Sequence, residues 1–182
     1  MKRALAVLAA ALWSVAATAG ALTRHVPDDT GVLVEVSPSP CRVVSLAPGT
    51  TAMLFAAGAG KCMVGTIAHS KEPAEAAAVP VVGDAETLDF EQLIALRPTV
   101  VVVAVDVVQR ARIDRLRTLG IPVYQVHVTS LAQMPQSLRR LGALTGTTDT
   151  AANAAAALEA ELAAIRGRYA GRTPLRVLYQ IW

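Results

Sequence analysis

Cysteine and histidine are scarce in this 182-residue chain, with two of the first and three of the second. Two cysteines cannot make a disulfide-dense scaffold, and scattered histidines cannot complete a Cys/His zinc finger. Charged residues are also few, at 17%, while 53% of the chain is hydrophobic. A chain that apolar, with a net charge of only +3, is not intrinsically disordered. Nucleotide-binding glycine motifs are missing too. Gly58-Ala59-Gly60-Lys61 has Phe55 and Cys62 where a phosphate loop needs its first glycine and its hydroxyl, so it reads as the end of a helix. No G-x-G-x-x-G follows the first core strand, and there is no G-x-S-x-G elbow.

The amino terminus has the layout of an export signal over residues 1–19. Lys2 and Arg3 precede a run of 19 uncharged residues from Ala4 to Leu22, and Ala17-Thr18-Ala19 supplies small residues before Gly20. A retained membrane anchor is the rival reading, because the run is just long enough to span a bilayer. Removal of Lys2 and Arg3 leaves fifteen basic residues against fourteen acidic ones. The net charge of +1 withdraws the main support for a nucleic-acid partner. Export would also permit a disulfide. Cys41 and Cys62 each stand at the start of an expected strand, and parallel neighbouring strands would bring them within bridging distance. Two small buried thiols are the alternative.

Residues 20–40 read as a polar segment with an extended piece at 32–36, and residues 41–148 as one α/β lobe. Short apolar runs at 42–46, 62–67, 99–105 and 123–128 alternate with helical patterns at 52–57, 89–96, 108–119 and 130–144. That order implies one doubly wound, mainly parallel sheet covered on both faces. The β-branched run 99–105 lacks alternation, as expected of a strand buried on both sides. Asp89 and Gln92, and again Ser130 and Gln133, have capping-box spacing. A long connector helix follows within 149–171, then an orphan strand within 172–182.

Catalytic constellations are thin. Ser45 ends a strand with no histidine placed near it. His69, Glu72 and Glu75 share a loop and would make a weak metal site. Glu86, Asp89 and Glu91 surround a helix start that favours acids in any protein. His25 and His127 read as structural or exposed. Nothing joins a nucleophile, a base and an orienting group, so the expectation is a protein that does no catalysis. An α/β enzyme of unrecognised chemistry, using Ser45, Glu86 and Asp106, stays as an alternative.

Several stretches resemble the amino-terminal lobe of substrate-binding proteins of cobalamin and iron-chelate ABC importers: Arg42-Val43-Val44-Ser45-Leu46-Ala47-Pro48, Leu54-Phe55-Ala56-Ala57-Gly58, and Leu88-Asp89-Phe90-Glu91-Gln92-Leu93 through Pro98 with the valine run after it. Leu116-Arg117-Thr118-Leu119-Gly120-Ile121-Pro122-Val123 belongs to the same resemblance. The resemblance implies a periplasmic protein with two lobes joined by one long helix, a ligand held between them, and no resident cofactor. It implies a metal-chelate ligand (cobalamin, haem or a siderophore) and docking on the permease through Glu91. Cleft-facing candidates on this lobe are Ser45, Pro48, Thr50, His69, Asp84, Ala85, Ala104 and Asp106. Where cobalamin binders carry Tyr-Ser-Asp-Tyr-Pro, this chain has His69-Ser70-Lys71-Glu72-Pro73, and two aromatic positions fall at Ala85 and Ala104. His69 is therefore a candidate axial ligand to haem iron or corrin cobalt. On this reading the chain is a truncated binding protein with one cleft wall. The alternative is a single-lobe interaction module that recruits its partner by strand addition at 176–182.

Overall fold

Five successive residues at the centre of the chain, Val100–Ala104, form strand β5, and its four valines are at most 2% exposed. Successive side chains of a strand point to opposite faces. Val100 and Val102 therefore enter one apolar cluster, and Val101 and Val103 enter another on the far side of the sheet. In the computed structural model, which describes residues 23–37 and 41–180, β5 pairs with β3 (Val43–Ser45) and β6 (Val123–Val126). Strand β4 (Met63–Gly65) completes a four-stranded sheet of order β4-β3-β5-β6, with every pairing parallel. The α/β class expected from the sequence is thus the class observed.

One face is covered by α1 (Pro48–Ala56), α4 (Met134–Thr145) and the start of α5 (Thr148–Tyr169), through Met53, Leu54, Leu138, Leu141, Leu144, Ala151 and Ala155. The other is covered by α2 (Phe90–Ala95) and α3 (Arg110–Thr118), through Leu93, Ile113 and Leu116. Each such aliphatic side chain contributes about 1.5–3 kcal/mol when fully buried.

Local signals account for several boundaries. Asp89 caps α2, its Oδ1 accepting the Gln92 N–H at 2.9 Å. Gln133 caps the backbone before α4, its Oε1 accepting from Thr129 N at 2.8 Å and Ser130 N at 3.2 Å. Gly58, at φ +86°, ends α1, as the reading of Gly58–Lys61 as a helix terminus requires. Helix α1 itself begins at Pro48 and not at residue 52, because proline at the first position needs no N–H partner. No side chain caps α1; Thr50 and Thr51 Oγ1 lie inside its first turn, each 3.0 Å from Ala47 O. Helices α4 and α5 cross closely at Gly142, where a Cβ would lie 2.3 Å from that of Ala151.

A second, antiparallel sheet joins β1 (Arg24–Pro27) to β2 (Leu33–Val36). Val26, Val34 and Val36 bury into the first core cluster, so a segment read as polar carries a hairpin that packs on the lobe. Cys41 and Cys62, preceding the parallel neighbours β3 and β4, form a disulfide with Cα atoms 5.1 Å apart.

The strand expected over 176–182 is not formed across its described residues. From 172 to 180 the chain has no regular structure, and Leu175, Val177, Leu178 and Tyr179 are 79–92% exposed. A strand is completed by a neighbour that takes its backbone hydrogen bonds, and among the described residues no strand pairs with 175–179. The expected signal at 1–19, and the anchor reading of the same run, lie outside the described residues. Among those described, no helix is long and apolar enough to cross a membrane.

Candidate functional site

All four core strands are parallel, so their carboxyl ends share one edge, where open α/β sheets hold ligands. The segments leaving that edge carry Pro48 after β3, His69 after β4, Asp106 after β5 and His127 after β6.

Beneath the first two lies a closed network of hydroxyls. Ser45 Oγ is 2.7 Å from Thr50 Oγ1 and 2.9 Å from Thr51 Oγ1. Thr51 Oγ1 is also 2.9 Å from Thr66 Oγ1. Ser45, Thr50, Thr51 and Thr66 are all at most 2% exposed. Ser45 and Thr50 were expected to face the cleft, and the structure corrects this. Buried hydroxyls need partners, and these satisfy one another under the edge instead of presenting themselves to a ligand. Pro48 and Gly49, at the start of α1, are the exposed residues there.

His69 is exposed and sits at φ +67°, a conformation uncommon for a residue with a side chain. The neighbouring turn is anchored to it through Ala68 N, which donates to Gly83 O at 2.8 Å. Within that turn Asp84 Oδ1 accepts from Glu86 N at 2.9 Å and from Thr87 N at 2.6 Å and Oγ1 at 2.9 Å. The Thr87 hydrogen bonds hold the Asp84 carboxyl below its ordinary value of 3.8. Arg112 of α3 clamps the same turn, donating to the carbonyls of Ala85 (2.6 Å) and Glu86. Ala85 is exposed at its tip, and Ala104 is half-buried at the end of β5. Asp106 is exposed, its Oδ2 lying 3.5 Å from His127 Nδ1. Pro48, His69, Ala85 and Asp106 are exposed along this edge, with Asp84 and Ala104 half-buried behind them. Glu91 lies exposed in the first turn of α2, next to Phe90, whose ring sits 4.0 Å beneath the Arg115 guanidinium.

Sequence reasoning missed Asp28 and Asp29. The Asp28 side chain closes the hairpin turn, its Oδ1 accepting from Thr30 N and Val32 N, each at 2.9 Å. Asp29 reaches across to β6 and α4. Its carboxylate accepts from Arg140 Nη1 at 2.8 Å, Ser137 Oγ at 2.7 Å and His127 N at 3.1 Å. Tyr124 donates to Pro27 O at 3.1 Å, and burial together with the Asp29 charge raises its hydroxyl pKa above the ordinary value. The available signal was the Asp-Asp-Thr-Gly turn, which marks a turn without naming its partners.

A cavity of about 550 Å³ opens between α1 and the 72–75 stretch, lined by Phe55, Glu72 and Glu75. Among the described residues, no cluster of three or more His, Cys, Asp or Glu side chains could hold a metal ion.

Comparison with known proteins agrees with this geometry. The chain is 33% identical over 139 residues to the vitamin B12-binding protein of Salmonella choleraesuis, a match covering 76% of this chain and 52% of that one. The vitamin B12-binding protein of Yersinia pestis is 30% identical over the same length. The chain therefore spans about half the length of the curated relatives it matches. Among solved structures, the periplasmic vitamin B12 binding protein of Vibrio cholerae superposes with a TM-score of 0.70 at 25% identity, over 74% of this chain and 52% of that one. The periplasmic heme-binding protein of Roseiflexus sp. RS-1 does so with a TM-score of 0.64 at 28% identity, over 73% and 52%. The family model described as periplasmic binding protein matches residues 43–181, from the first core strand to the penultimate residue, and the chain belongs to that family.

Proposed function

We propose that this chain is one lobe of the exported substrate-binding component of an ABC importer for cobalamin, haem or an iron-siderophore, acting by capture and delivery without catalysis. The observation that carries the reading is the match itself: the periplasmic binding protein model covers residues 43–181, the chain aligns with about half of a vitamin B12-binding protein, and its parallel sheet leaves open the carboxyl edge at which such sheets hold ligands. On that edge Pro48, Ala85 and Asp106 offer the exposed contacts. Asp84 is committed to its own turn and shapes the edge without reaching out. With Ala85 and Ala104 in place of aromatic rings, the wall offers little stacking surface to a corrin. His69 is an exposed imidazole able to ligate a chelated metal, read out as a Soret shift on haem addition that His69→Ala abolishes. Glu91, exposed on α2, is the proposed contact for permease arginines.

A ligand held between two lobes loses half its contacts when one is absent. Calorimetric titration of the chain with cobalamin is therefore expected to give a dissociation constant weaker than about 1 μM. Sub-micromolar binding would show that one wall suffices and would overturn the one-wall reading.

A further inference from the structure

Arg140 uses one edge of its guanidinium within the lobe. Its Nη1 donates to Asp29 Oδ1 at 2.8 Å, and among the described residues no group accepts from Nε or Nη2. Those two nitrogens form the planar fork that matches a carboxylate through two parallel hydrogen bonds. Arg140 lines a cavity of about 200 Å³ together with Asp29, His127, Gln133, Gln136 and Ser137. The cavity is formed by the hairpin turn, the end of β6 and the start of α4, and takes no residue from α5 or the segment after it.

In this pocket the acceptors are taken and the donors are not. Asp29 Oδ2 accepts from Ser137 Oγ at 2.7 Å and His127 N at 3.1 Å, while its Oδ1 holds Arg140. Gln133 Oε1 accepts from Thr129 N, Thr129 Oγ1 and Ser130 N at 2.8, 3.0 and 3.2 Å. That orients the amide and leaves its Nε2 hydrogens without an acceptor among the described residues. Gln136 is exposed, and its side chain has no partner among them either. Charge then decides which acceptor fits. Arg140 and Asp29 cancel, and Asp106 adds a carboxylate 3.5 Å from His127 Nδ1. A pocket of this balance accepts one added negative charge more readily than two, which favours a carboxylate over a phosphate monoester.

We propose that this pocket is a carboxylate subsite, in which the Arg140 fork holds both oxygens of the group and the Gln133 and Gln136 amides donate to its outer lone pairs. The inference rests on the carboxyl edge being the ligand side, as proposed above. His127 follows β6, three strand spacings or about 14 Å from β4 and the loop of His69, so one chelate lying along the edge can reach both. The subsite then selects chelates that carry a free carboxylate over cobalamin, whose peripheral side chains end in amides.

Titration of the purified chain with propionate tests it, with methyl phosphate and chloride as rival anions, read by NMR of the backbone amides and the arginine and glutamine side chains. Saturable shifts at 127, 133, 136 and 140 are expected, with a dissociation constant of roughly 1–10 mM and about fivefold weaker binding of methyl phosphate. Arg140→Lys keeps the charge beside Asp29 but has no fork, and is expected to weaken propionate about tenfold. Gln136→Glu disturbs no hydrogen bond of the fold, and its added charge is expected to abolish the shifts with amide dispersion unchanged. Arg110→Ala, which removes an exposed arginine of α3, is expected to leave binding as it was. Shifts that do not saturate, an equal response to chloride, methyl phosphate bound as tightly, or propionate binding unaffected by Gln136→Glu would each overturn the proposal. Propionate binding here with no response to cobalamin or haem along the edge would overturn the importer reading and keep the subsite. Chelate shifts along the edge without propionate binding would overturn the subsite and keep that reading.

Discussion

Asp29 and Arg140 stand 111 positions apart and meet at 2.8 Å, the Asp29 side chain only 4% exposed and that of Arg140 32%. A hairpin of four-residue strands is not stable alone, and this ion pair, with the Ser137 hydroxyl and the His127 amide, fastens its turn to β6 and α4. Removing one partner of a largely buried pair strands the other. Asp29→Ala is expected to lower unfolding free energy by about 2–3 kcal/mol in urea titration, allowing for the partial exposure of Arg140. Arg110→Ala, which breaks a contact whose arginine is 91% exposed, is expected to cost under about 0.5 kcal/mol. Equal effects from the two would contradict the anchoring role of Asp29.

The Cys41–Cys62 bridge closes a loop of 21 residues in sequence separation. Cross-linking a loop of that size stabilises a domain by about 3 kcal/mol, mostly by restricting the unfolded chain. Reduction, or Cys41→Ser with Cys62→Ser, is expected to lower the unfolding midpoint accordingly. Mass spectrometry of the air-oxidised protein should find no alkylatable thiol, and two free thiols would contradict the pairing.

Gly142 sits where α4 touches α5. A methyl group there would need Ala151 or the Thr147 carbonyl to move, so Gly142→Ala is expected to destabilise by about 1–3 kcal/mol despite alanine's better helix propensity. A stabilised variant in thermal unfolding would show that the two helices separate freely.

Asp84 titrates below 3.8 because its ionised carboxylate accepts the Thr87 amide and hydroxyl and the Glu86 amide. Its folded value is depressed, so its contribution is complete above the unfolded carboxyl value and is lost as pH falls through the folded one. Carboxyl NMR should place the Asp84 midpoint under 3.8, and Thr87→Ala should raise it. A midpoint at or above 3.8 would refute the turn geometry.

What could be read in advance follows from how local each cause is. The run at 99–105 is β-branched and unbroken, so β5 was legible as a doubly buried strand before any partner was known. Asp89 sits three residues before the amide it caps, and the cysteines precede strands that pair side by side. The extended piece at 32–36 was legible and is β2, but its pairing with β1 and its docking were not, because the anchors Gln125, Ser137 and Arg140 lie far along the chain from Asp28 and Asp29. Ser45 and Thr50 looked exposed because polarity suggests solvent, whereas their burial depends on Thr51 and Thr66 arriving as partners. The segment 176–179 has the composition of a strand, but among the described residues no strand lies beside it to take its hydrogen bonds.

The measurement that bears most directly on the ligand-binding claim is a map of where a chelate touches the lobe. In amide-resolved NMR, titration with cobalamin to millimolar concentration is expected to shift resonances at 47–50, 68–71, 84–87 and 104–107, along the carboxyl edge of the sheet, leaving α3 beyond Arg112 and the outer face of α5 unmoved. No shifts at all, or shifts confined to surfaces away from that edge, would contradict the account.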